Sequence, residues 1–140
     1  TAVFGKLNVK TGELIFINAG HESILLFDEN KNYEYIKSDM PPIGIVKYFT
    51  ETMVKSNTIN LKDKTFVVYT DGVTEGYLKN GAELGAEGVQ DIINKMTDIT
   101  PKTIVEGIEN QLNWGAEKLR DDITCMAINI KNTELLKKNK

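Results

Sequence analysis

One cysteine and one histidine are the only thiol and imidazole in these 140 residues. Cys125 alone can form no intrachain disulfide and no cysteine-based zinc cluster. It fits a reducing, cytoplasmic setting. With His21 as the only imidazole, any polynuclear metal site must draw mostly on oxygen ligands. Cations are not in excess either. The 17 Lys and Arg against 20 Asp and Glu leave a net charge of −3, which argues against a nucleic-acid binder, normally a basic protein. No apolar run approaches the roughly 20 residues that cross a bilayer. The opening TAVFGKLNV carries no signal-peptide pattern and reads as a strand entered in full stride, as if cut from a longer chain. Internal repeats and low-complexity segments are absent too. What remains is ordinary: 41% hydrophobic and 26% charged residues, enough for one domain or a large piece of one.

The first half is punctuated like a β-meander. AVFGKLNV, ELIFIN, SILLFD and YEYIK are extended patterns separated by KTGE, NAGHE and ENKN. SDMPPIGI is a loop, because two prolines and Gly44 interrupt regular structure. FTETMVKSNTI alternates as a strand does, and TFVVYT is a short apolar run. ELIFIN, SILLF and TFVVY are apolar at alternate and intervening positions alike, which predicts burial on both faces. A second sheet on one side and helices on the other would supply that cover. Two helices follow. Val89, Ile92, Ile93 and Met96 recur at helical spacing after KNGAELG. Ile104, Val105, Ile108 and Leu112 form a stripe behind Thr100-Pro101, a capping residue and a first-turn proline, with Gly115 placed to end the helix. DITCMAINI returns as a strand. Strands, two helices and a strand predict an α+β layered domain.

Two acidic segments stand at strand ends. Asp71 follows TFVVYT directly, with Gly72 next and Glu75 a helical turn later; Asp121 and Asp122 precede ITCMAINI. If the two strands are antiparallel neighbours, the end of one and the start of the other share an edge. Three carboxylates would then converge, and such a cluster needs a cation or a raised pKa. All-oxygen ligation suits Mg²⁺ or Mn²⁺ better than Zn²⁺. Each segment also has a plainer reading. Asp-Gly after a strand is a common hairpin turn, and a charged pair before a strand is often a solvated boundary.

YTDGVTEG and RDDITCMAI, with a two-helix stretch between them, resemble the paired motifs of the PPM-type metal-dependent protein phosphatases. The bacterial SpoIIE/RsbU-like branch is the nearer match: NAGHESILLF resembles its Asn-Ala-Gly-His segment, and MPPIGI its loop ending in Leu-Gly or Ile-Gly. The motifs keep the family order from Asn18 to about Ile128. The resemblance implies that residues 1–131 are the C-terminal part of a four-layer α-β-β-α sandwich with antiparallel sheets, with 132–140 a basic tail. It implies that Asp71 and Asp121 are metal ligands, for two Mn²⁺ or Mg²⁺ ions in the complete domain. Asp122 and Glu75 take supporting roles, and Gly72 lets the backbone pass close to the site. In the family the metals activate a water that attacks the phosphorus of phosphoserine or phosphothreonine. The substrate implied is a phosphorylated regulator of the anti-anti-sigma type, and upstream sensor or regulatory domains are implied with it.

The family's N-terminal Gly-Asp segment, whose aspartate bridges both metals, has no counterpart in these residues, nor do its first strands and central helix pair. Residues 1–140 alone are therefore expected to bind metal weakly and hydrolyse little. Sheet edges left uncovered would admit a homodimer, strand-exchanged or rearranged. The alternative is a degenerate PPM-like module that binds the same partner without chemistry; retention of Asp71 and Asp121 speaks against it. A purely structural β-rich domain would make the four motifs coincidental. His21 is read as shaping its loop, Cys125 as an inert strand residue, Trp114 as packing, and Lys137, Lys138 and Lys140 as a solvated tail.

Overall fold

A tight turn starts the fold. The Asn8 carboxamide oxygen accepts from the amides of Lys10 and Thr11 at 3.1 and 3.2 Å, and Gly12 turns with φ +80°. This sets β1 (Ala2–Leu7) against β2 (Glu13–Ala19), antiparallel from Leu7↔Leu14 to Ala2↔Ala19. β2 also pairs with β5 (Asn57–Asn60), giving a three-stranded sheet of order β1-β2-β5. A computed structural model describes residues 1–113 and 121–130. Trp114, Gly115, Lys137, Lys138, Lys140 and the tail 132–140 lie outside the described residues. Tertiary contacts divide the described residues into two units, one from Thr1–Phe66 and 128–130, the other from within Val67–Ala127.

In the first unit, β3 (Ile24–Asp28) and β4 (Tyr33–Ile36) form an antiparallel hairpin around Asp28. That carboxylate accepts from the amides of Asn30 and Asn32 and from the Asn32 side chain, each at 2.9 Å. These bonds, the Asn32 carboxamide first, hold its pKa below the usual carboxylate value. Ile24, Leu25, Leu26 and Phe27 are all buried, as a run without polar positions requires. ELIFIN behaves differently. Leu14 and Phe16 are buried, yet Ile15 is 42% exposed, so the strand is covered on one face at that point and the expectation of two-sided burial does not hold. Phe16 packs edge-on against Phe66, centroids 5.1 Å apart.

The stretch expected as one strand over FTETMVKSNTI is instead a 3₁₀ turn (Glu51–Met53) followed by the short β5. Alternation misled there because Phe49, Met53 and Val54 are exposed rather than turned into a core. Periodicity marks a strand only when one face is buried.

The second unit holds the helices, half of β6 (Lys64–Tyr69) and most of β7 (Cys125–Asn129). The hydrogen-bonding order of the second sheet is β4-β3-β6-β7. A helix absent from the sequence reading, α1 (Asp71–Thr74), follows β6 at once. α2 (Gly85–Lys95) buries Val89 and Ile93; α3 (Pro101–Gln111) buries Ile104 and Ile108. Thr100 caps α3 as expected, in a reciprocal box in which its hydroxyl accepts from the Thr103 amide at 3.1 Å. α3 ends before Gly115, because Leu112 turns extended and bridges to Leu78. Among the described residues the architecture is α+β, with two sheets and three α-helices. No helix among the described residues is long and apolar enough to cross a membrane.

Candidate metal centre

β6 delivers Asp71. Thr65, Phe66, Val67 and Tyr69 are buried, and the chain leaves the sheet at Thr70 with Asp71 exposed at the first position of α1. The Asp71 carboxylate accepts from the next amide, Gly72 N–H, at 3.0 Å. Its carbonyl accepts from the Glu75 amide at 2.8 Å and the Thr74 hydroxyl at 3.0 Å, which closes the short helix. Gly72 does not have the positive φ of a primed hairpin turn, so the turn reading of Asp-Gly is excluded.

Glycine is required at 72 for space. A Cβ there would lie 2.5 Å from the carbonyl oxygen of Asp122, 3.0 Å from its carbonyl carbon and 3.2 Å from the carbonyl oxygen of Asp121. The backbone after Asp71 is thus seated on the backbone of the Asp121-Asp122 pair. Thr70 binds the same segment. Its amide donates to the Thr124 carbonyl at 3.0 Å, its hydroxyl donates to the Asp122 carbonyl at 2.9 Å, and the Thr124 amide donates to that hydroxyl at 3.0 Å. The end of β6 and the approach to β7 therefore meet, as neighbouring strands running in opposite senses require. Asp121 carries the same local arrangement as Asp71, its carboxylate accepting from the following amide, Asp122 N–H, at 2.7 Å.

The convergence of three carboxylates is not found. Among the described residues no group of three His, Cys, Asp or Glu side chains is placed to hold a metal ion. Asp122 acts through its backbone, as the amide on Asp121 and the carbonyl on Thr70. Glu75 is exposed and caps the end of α1. The donors available are all oxygen, which fits a hard divalent ion in kind. They are too few to fill its coordination alone. Thr70 was missed by the sequence reading, since its contacts cross 52 and 54 positions of sequence.

The Asn-Ala-Gly-His corner is organised by Asn18, not by the imidazole. Asn18 is fully buried; its carboxamide oxygen accepts from the His21 amide at 3.0 Å and its amide donates to the Glu22 carbonyl at 3.1 Å. His21 Nδ1 meets the Thr1 hydroxyl at 3.2 Å. Gly20, at φ +66°, packs so closely on Pro42 that no side chain fits. Ser38 closes the corner, accepting from the Gly20 amide at 2.8 Å. Burial pushes the Cys125 thiol up to about 11, which leaves it neutral and unreactive at ordinary pH.

A family model described as Stage II sporulation protein E (SpoIIE) matches residues 1–131. Protein IcfG of Synechocystis is 25% identical over 135 residues, spanning 91% of this chain and 20% of that protein. Among solved structures, the RsbU and RsbW domains of Rv1364c from Mycobacterium tuberculosis superpose with a TM-score of 0.66 at 20% identity, covering 92% of this chain and 36% of that one. The phosphatase domain of the cell-fate determinant SpoIIE from Bacillus subtilis, presoaked in manganese, gives 0.65 at 17% identity, over 94% of this chain and 56% of that one. The fold is that of these phosphatase domains, and the chain spans only part of the length of each relative.

Proposed function

Because the chain belongs to the Stage II sporulation protein E (SpoIIE) family, we propose that it is the C-terminal part of a metal-dependent protein serine/threonine phosphatase domain in which Asp71 and Asp121 are two arms of the metal site. The observation that carries this reading is the seat of Gly72 on the Asp121-Asp122 backbone, which brings the two motifs together. Sheet pairing alone brings the two strand ends to one edge, and the absence of a side chain at Gly72 lets the carboxylate-bearing segments approach further there. In this reading the set is completed by a carboxylate from outside the described residues.

Mn²⁺ or Mg²⁺ held there would neutralise charge on the phosphoryl group and lower the pKa of a water that attacks it. The chain's own residues set up the holding. Asp71 and Asp121 supply anionic oxygen, each oriented by the amide that follows it. Asp122 supports Asp121 through that amide, Gly72 permits the close approach, and Glu75 supports the loop after Asp71. The reaction is hydrolysis of a phosphoserine or phosphothreonine ester, in which the P–O bond to the side chain breaks and water supplies the new oxygen. No covalent enzyme intermediate is needed, in keeping with the neutral Cys125 thiol.

The substrate we infer is a phosphorylated bacterial regulator of the anti-anti-sigma type; the likeness to a chain that joins RsbU and RsbW domains supports it. The test is phosphate release from a phosphoserine protein by the complete protein. Activity should vanish with EDTA and return with excess Mn²⁺ or Mg²⁺. Turnover that ignores the chelator would contradict the proposal.

A further inference from the structure

Thr70 sits between β6 and α1, one residue before Asp71, and its hydroxyl makes two short bonds to the opposite segment, with a longer contact of 3.5 Å to the Thr124 carbonyl beside them. A threonine hydroxyl has one proton to give and lone pairs to accept with. Here the proton goes to the Asp122 carbonyl at 2.9 Å and a lone pair receives the Thr124 amide at 3.0 Å. Both partners lie before β7, whose first residue is Cys125. The sheet ladder therefore does not by itself hold the stretch that carries Asp121. Gly72 limits how close the two backbones come, since even a methyl group at 72 would meet the Asp122 carbonyl oxygen. The Thr70 hydroxyl limits how far apart they drift. We propose that Thr70 is a positioning residue that fixes the spacing between the Asp71 and Asp121 arms, the hydroxyl acting as a latch and the Gly72 contact as a stop.

The proposal rests on the metal reading given above. The hydroxyl is well suited to this role. Its β-branch leaves few χ1 rotamers, so the bonds form with little loss of freedom. The backbone bond from the Thr70 amide to the Thr124 carbonyl, 3.0 Å, does not involve the hydroxyl and persists without it. Loss of the hydroxyl should then loosen the metal arms while leaving the strand pairing in place. Partners that orient metal ligands typically govern affinity by about 10–100-fold.

The test uses the full-length protein, with Mn²⁺ titrated by calorimetry and amide exchange followed at Thr124. Thr70→Val should weaken Mn²⁺ binding about tenfold or more and speed exchange of the Thr124 amide, with thermal stability close to that of the parent. Thr70→Ser should restore most of both. Thr70→Ala repeats the deletion without an added apolar branch, should the valine variant fold poorly. Asp71→Asn is measured alongside. If it weakens Mn²⁺ binding and neither hydroxyl deletion does, the latch is overturned and the metal reading stands. If a deletion lowers stability with affinity unchanged, the role is structural and the latch is again overturned. If Asp71→Asn binds Mn²⁺ as well as the parent, the metal reading falls, and the latch with it.

Discussion

Asp71→Asn in the complete protein is expected to lower Mn²⁺-dependent phosphate release by roughly a thousandfold. Metal stabilisation of the developing phosphoryl charge is worth several kcal/mol, and about 1.4 kcal/mol corresponds to each tenfold in rate. The substitution changes charge and little else. An asparagine oxygen can still accept from the Gly72 amide, now 3.0 Å from the carboxylate, so the turn into α1 is preserved. The exposed position leaves stability within about 0.5 kcal/mol of the parent. Asp121→Asn should behave alike, since Asn can accept from the Asp122 amide as the carboxylate does. Phosphate release and thermal melts on the same preparations check both halves of the expectation. Activity within tenfold of the parent for either variant would remove that residue from the site.

Gly72→Ala attacks the same site by shape. The added methyl would stand 2.5 Å from the Asp122 carbonyl oxygen, and this oxygen belongs to backbone that cannot swing aside as a side-chain tip can. Either the α1 start or the Asp121-Asp122 segment must move. Overpacking of this kind costs about 1–3 kcal/mol. The displacement falls between the two arms, so Mn²⁺ affinity should drop along with stability. Urea unfolding and calorimetry on one variant separate the two effects. A variant with parental stability and parental Mn²⁺ affinity would show that the close approach has no part in the site.

What the sequence made legible follows from the range of the forces involved. α3 was legible to its first residue, because Thr100-Pro101 is a local cap and the stripe through Ile104 and Ile108 needs only helical periodicity. β3 was legible because four consecutive buried residues leave no other choice of environment. The stretch over Glu51–Met53 was not, because alternation carries no information once the side chains face solvent. α1 escaped for its length: a four-residue helix has no periodicity to read. The meeting of the Asp71 and Asp121 segments could be anticipated from two strand ends. The number of carboxylates at one centre could not. It depends on which way successive side chains face, and that is set by register rather than by composition. Thr70 and Asn18 were illegible for a related reason. Each acts through hydrogen bonds whose partners only folding brings into reach, and nothing in YTDG or NAGH marks a hydroxyl or a carboxamide as the group that matters.

Anomalous scattering at the manganese edge from crystals of the complete protein soaked in Mn²⁺ tests the central claim most directly. The account predicts a peak with a carboxylate oxygen of Asp71 and one of Asp121 in the metal shell, at about 2.1 Å in the manner of hard octahedral ions, and a further carboxylate from outside the described residues. Manganese bound elsewhere, with both carboxylates turned to solvent, would contradict it.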